Sequence, residues 1–101
     1  MSPAVFEFRA PLWLHGGQAG WHFLTLPVGV ADEVRDLVPP SPRGFGSIPV
    51  TVTVGRTTWN TSIFPASASG SYDLPVKKQV REAEGLVAGE DADVVLRVEV
   101  D

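Results

Sequence analysis

Apolar and polar residues alternate along several stretches of the chain, and a period of two residues predicts β-strands. The alternation is clearest in the last strand, where the positions predicted to face a core are Ala92, Val94, Leu96, Val98 and Val100. Charged residues occupy the opposite parity of that strand, and Val95 is the exception. Similar patterns predict one hairpin over residues 4–15 and 21–26 and a second over residues 48–54 and 57–64.

Helical spacing predicts two short helices between these strands. The first follows Pro27, and its apolar stripe consists of Val30, Val34 and Leu37. The second runs from Pro75 to about Ala83, and Gly85 is the expected C-terminal cap. Residues 39–46 and 65–71 are predicted loops, the latter exposed. The predicted fold is therefore mostly β with two short helices, in the order ββαββαβ.

Length and composition narrow the class of protein. The 101 residues fit one domain, residues 1–101, and 44% apolar residues is typical of a globular chain. The absence of cysteine excludes disulfides, thiol nucleophiles and cysteine-ligated zinc. The sequence begins without a signal-peptide pattern, so we expect a soluble, cytoplasmic protein with no membrane partner. A net charge of −4 makes nucleic acid a less favoured partner.

A family resemblance extends through most of the chain from residue 43 to residue 98. It is carried by Arg43-Gly44-Phe45-Gly46-Ser47-Ile48-Pro49-Val50, Trp59-Asn60-Thr61-Ser62-Ile63-Phe64-Pro65, Tyr72-Asp73-Leu74-Pro75-Val76-Lys77-Lys78-Gln79-Val80-Arg81 and Gly89-Glu90-Asp91. In these segments the chain resembles the bacterial family called domain of unknown function 1905. The resemblance implies a small double-split β-barrel related to AbrB-type regulators and MazE-type antitoxins, and it implies no known activity.

Several basic and aromatic residues suggest a site for a small anion. Lys77 and Arg81 are four residues apart and share one helix face, where like charges are mildly unfavourable. Arg43 precedes a glycine-containing loop, and aromatic rings offer stacking surfaces. The predicted ligand-binding residues are Arg43, Phe45, Trp59, Tyr72, Lys77 and Arg81. The alternative interpretation is structural: Arg43 pairs with Asp73 or Glu84 and fixes the loop.

Other chemistry has weaker support in the sequence. His15 and His22 have no suitably spaced third ligand for a metal, and the serines lie in no nucleophile motif. We therefore predict no metal, cofactor or catalytic residue. The favoured function is a binding module for a small anionic ligand or a protein segment. An AbrB-like or antitoxin-like DNA-binding regulator and an uncharacterised enzyme are the alternatives, and both a monomer and a homodimer are open.

Overall fold

A computed structural model describes residues 2–16, 20–38 and 46–100 of the chain. These residues form six strands and two helices: β1 (Ser2–Leu14), β2 (His22–Thr25), α1 (Val28–Leu37), β3 (Ile48–Val54), β4 (Thr57–Ala66), β5 (Ser71–Pro75), α2 (Lys78–Glu84) and β6 (Asp91–Val100). The prediction of a mostly-β fold with two short helices is confirmed. Neither helix is long and apolar enough to cross a membrane.

The strands close into an antiparallel barrel in the order β1-β2-β5-β4-β3-β6, which confirms the expected small β-barrel. Two long strands close it by changing partners along their length. β1 pairs with β6 up to Pro11 and with β2 from Leu12, while β4 pairs with β3 up to Ile63 and with β5 from Phe64. Pro11 and Pro65 lie at or beside these changes, where a residue without an N–H group interrupts the ladder least.

The predicted order ββαββαβ is wrong by one strand, because residues 71–75 form β5 between β2 and β4. The predicted exposed loop over residues 65–71 is reduced to an exposed turn at residues 67–70. Ser71 is buried, and its hydroxyl donates a 2.7 Å hydrogen bond to the Leu26 carbonyl. A five-residue strand that begins with buried Ser71 and Tyr72 has no alternation by which the sequence could reveal it.

The second helix also begins later than predicted. Pro75 ends β5, where it pairs with Phe23 of β2, and α2 starts at Lys78 with Lys77 as its N-cap. The predicted end is confirmed: Gly85 has φ 63°, a left-handed conformation that glycine adopts without steric cost.

Aliphatic side chains fill the barrel interior. In β6 the even-numbered residues from Ala92 to Val98 are buried and the odd-numbered residues from Asp91 to Glu99 are exposed, as the alternation predicts. Facing strands contribute large side chains that are almost fully buried, among them Leu12, Leu24, Val52, Ile63 and Leu74. Because the interior is packed, any ligand must bind at the rim or on the outer surface of the barrel.

Candidate functional site

A cleft of about 220 Å³ opens at the rim of the barrel. Three segments that are distant in sequence line it: the start of β2, the middle of β4, and the connection from β5 into α2. Their lining residues are Gly20, Trp21, His22, Trp59, Asn60, Thr61, Pro75, Val76, Lys77 and Arg81. A backbone hydrogen bond of 2.9 Å from Val76 N to His22 O ties the first segment to the third.

Three of the predicted site residues, Trp59, Lys77 and Arg81, meet in this cleft. Trp59 is nearly buried, with 8% of its surface exposed, and it forms part of the cleft lining. Lys77 is exposed and Arg81 half-buried. Arg81 donates from Nε to the Val76 carbonyl at 3.2 Å, which orients the guanidinium and leaves its two terminal nitrogens for other partners.

The cleft carries positive charge on a chain that is acidic overall. No Asp or Glu is among the lining residues, and no carboxylate in the described part of the chain forms a salt bridge with Lys77 or Arg81. Glu84, three residues after Arg81 in α2, points elsewhere. Its carboxylate accepts hydrogen bonds from Thr57 Oγ1 at 2.6 Å and from Arg56 N at 3.2 Å, so it fixes the β3–β4 turn.

The remaining predicted site residues are not assembled here. Tyr72 is buried on the side of α1, with the guanidinium of Arg35 5.4 Å from its ring centroid, and it does not line the cleft. Arg43 and Phe45 lie outside the described residues. Asp73, one of the carboxylates considered as a partner for Arg43, accepts a 2.8 Å hydrogen bond from Thr25 Oγ1.

Two residues that sequence reasoning did not assign to a site, Trp21 and His22, also line the cleft. Trp21 is 56% exposed although it is one of the largest apolar side chains of the protein. A signal for this exposure was present, because Leu24 and Leu26 face the core and Trp21 has the opposite parity. His22 has the inward parity of Leu24 but lies at the end of its strand, where it reaches the rim.

The His22 ring has a defined orientation. Its Nδ1 lies 2.6 Å from the Gly20 carbonyl oxygen, which only accepts hydrogen bonds, so Nδ1 must carry a proton. In the neutral ring Nε2 is then a hydrogen-bond acceptor. His22 is not part of a metal cluster: in the described residues no group of three or more His, Asp and Glu side chains is arranged to hold an ion.

A larger depression, of about 520 Å³, lies on the outer face of the barrel around Arg9 and Asp93. Its cation is already paired, since Arg9 Nε lies 2.8 Å from Asp93 Oδ1, with a second contact of 3.2 Å from Nη2 to Oδ2. The rim cleft is smaller, but none of the described carboxylates forms a salt bridge with its cations. For a charged ligand the rim cleft is therefore the stronger candidate.

A model of a known protein family matches most of the chain. The model of the domain of unknown function DUF1905 matches residues 8–96. The chain belongs to the DUF1905 family. The matched region of this DUF1905 domain contains all of the strands and helices that line the cleft. No curated protein matches the chain.

Proposed function

We propose that this DUF1905 domain is a binding module whose rim cleft takes a small anionic molecule. The observation that carries the proposal is the pair of cations, Lys77 and Arg81, in a cleft whose described lining includes no carboxylate. One helical turn separates the two residues, as the 3.1 Å hydrogen bond from Arg81 N to Lys77 O reflects. Like charges at this spacing repel by a few tenths of a kcal/mol, and an anion between them removes that repulsion.

The hydrogen-bonding groups of the cleft also suit an anion. Lysine offers three donors and arginine a planar fork that matches carboxylate and phosphate oxygens. Asn60 and Thr61 of β4 add neutral polar groups to the cleft lining. The anchoring of Arg81 Nε on a backbone carbonyl reduces the side-chain freedom that binding must restrict.

The volume of the cleft limits the ligand. At about 220 Å³ it is smaller than the roughly 300–1,000 Å³ of pockets for drug-sized molecules. This supports a compact molecule with one anionic group over a folded protein partner or a polynucleotide, both of which need larger contact surfaces.

The test is an NMR titration of ¹⁵N-labelled protein with three probes, sodium acetate, sodium benzoate and inorganic phosphate, at low ionic strength. We expect saturable shifts for at least one probe, centred on residues 20–22, 59–61 and 75–81. Lys77→Gln should weaken that binding about fivefold or more, because it removes a charged hydrogen-bond donor. Added sodium chloride should weaken it further, since the site is open to solvent.

Lys78→Gln is the matched control, because Lys78 is an exposed lysine next in sequence that does not line the cleft. It changes the net charge by the same amount and should leave the affinity unchanged. If neither acetate, benzoate nor phosphate produces saturable shifts, the proposal is wrong. An equal loss of affinity in the Lys77 and Lys78 variants would also refute it, because the effect would then be one of net charge alone.

A further inference from the structure

We infer that the anion carries a planar aromatic ring, and that Trp21 selects it by stacking. The inference rests on the proposed anion-binding function and names the chemical class of the ligand: a single aromatic ring bearing one carboxylate or phosphate group. The observation behind it is that an exposed tryptophan, Trp21, and two cations, Lys77 and Arg81, line the same cleft.

Trp21 has the outward parity of its hairpin, and its exposure is unusually large for so large an apolar side chain. An indole ring buries a large apolar area when it packs into a core, and this chain has three tryptophans. Trp59, which also lines the cleft, is 8% exposed, whereas Trp21 is 56% exposed. Neither cation of the cleft covers it, since in the described ranges the cation–π contact is that of Arg35 over Tyr72.

Trp21 is nevertheless held in a defined orientation. Its ring stacks on Phe23 with centroids 6.2 Å apart and an interplanar angle of 15°. Phe23 in turn lies 5.1 Å from the ring of Trp13, and Trp13 donates from Nε1 to Thr25 Oγ1 at 2.9 Å. This series of contacts supports one face of the indole and restricts its rotation. An exposed ring that is already ordered loses little entropy when a second ring stacks on it.

Trp21 and the two cations line one small cleft, so one molecule can contact the ring and the cations. A volume of about 220 Å³ admits one ring beside an anionic group held by Lys77 and Arg81, and Trp21 lines the same volume. Aromatic pairs favour such offset stacking beyond the burial of apolar area. An aliphatic ring of the same size buries similar area but gains no such preference.

The deciding experiment compares benzoate with cyclohexanecarboxylate and acetate by NMR titration. All three carry one carboxylate, the first two have rings of the same size, and only benzoate is aromatic. We expect benzoate to bind about fivefold more tightly than cyclohexanecarboxylate, and acetate to bind most weakly. Trp21→Leu should abolish the preference for benzoate, whereas Trp21→Phe should retain most of it. A thermal melt of each variant verifies that it is folded, and the Phe variant keeps the contact with Phe23.

The outcomes separate this inference from the proposed function. If benzoate and cyclohexanecarboxylate bind equally and Lys77→Gln weakens both, the cleft binds anions but the stacking inference is wrong. Persistence of the benzoate preference in Trp21→Leu would also overturn the inference. If the preference depends on Trp21 but Lys77→Gln has no effect, the ring binds without the cations and the proposed anion site fails.

Discussion

Replacement of Gly55 by alanine tests how α2, which carries Arg81, is held against the barrel. Gly55 begins the two-residue turn between β3 and β4, after Val54 and before the paired Thr57. It has φ 59°, in the left-handed region. A Cβ added at this position would overlap Glu84 Oε1 and lie 2.8 Å from Glu84 Cδ. The carboxylate must therefore move, which disrupts the hydrogen bonds that it accepts from the turn.

The expected loss of stability has two parts. The left-handed conformation costs a residue with a side chain about 1 kcal/mol. Displacement of Glu84 weakens its bonds to Thr57 Oγ1 and Arg56 N, which we take as about 1 kcal/mol because the site is partly exposed. Gly55→Ala should then lower the free energy of unfolding by about 2 kcal/mol. For a domain of this size that corresponds to a fall in Tm of roughly 8–16 °C.

Two further variants separate the two parts in a urea-denaturation assay. Gly85→Ala is the matched control for the backbone, because Gly85 has φ 63° and no atom lies within 4 Å of an added Cβ. It should cost about 1 kcal/mol. Glu84→Ala removes the carboxylate that Gly55→Ala displaces, so the two substitutions should be non-additive by about 1 kcal/mol. Full additivity, or an equal loss in the Gly55 and Gly85 variants, would refute the reasoning.

Other features of the barrel predict further outcomes. Leu96→Ala, at a fully buried position, should reduce the free energy of unfolding by about 3–5 kcal/mol. Val95→Ala, on the exposed face of the same strand, should change it by less than about 0.5 kcal/mol. Comparable losses for the two variants in urea denaturation would contradict the assignment of the β6 faces. Ser71→Ala should cost about 1–2 kcal/mol in the same assay, because a buried backbone carbonyl loses its donor, and an unchanged midpoint would show that this bond contributes nothing. The hydrogen bond and charge of Arg9 lower the pKa of Asp93, so this pair stabilises the fold above the ordinary carboxyl pKa, and its contribution is lost as pH falls through the lowered value. Arg9→Ala should therefore raise the Asp93 pKa in an NMR titration, and the small stability difference from the native protein should vanish in acid; an unchanged pKa would exclude the pairing in solution.

Strands with sustained alternation could be predicted from the sequence, and one short strand could not. The pattern in β3 and β6 extends over seven or more residues, so its period is distinct, and burial alternates with it from Ile48 to Val54 and from Asp91 to Glu99. β5 has only five residues, with buried neighbours at Ser71 and Tyr72, and its pairing with β2 depends on barrel closure. The same missing strand explains why α2 was predicted to begin at Pro75.

Only the part of the candidate site that lies on one segment of the chain could be predicted from the sequence. The spacing of Lys77 and Arg81 predicts that both lie on one side of α2, and the N-cap position of Lys77 keeps it one turn from Arg81. The contribution of Trp21 and His22 depends on a long-range pairing, the hydrogen bond between Val76 N and His22 O, which no local pattern encodes. Tyr72 has the chemistry of a ligand-binding residue, but it is buried in β5 with the Arg35 guanidinium over its ring and does not line the cleft.

Closure of the barrel brings Trp21 and the two cations, Lys77 and Arg81, into one cleft. Its interior is filled by aliphatic side chains, so a domain of this size offers a ligand the rim rather than a central cavity. Trp21, directly before β2, and Lys77, in the β5–α2 connection, both line the cleft, and β5 must pair with β2 for the two to meet. A substitution that shifts this pairing should therefore abolish anion binding even when both cations remain. Anion binding therefore requires both the two cations, Lys77 and Arg81, and the correct position of the β1–β2 hairpin. Neither element forms the cleft by itself.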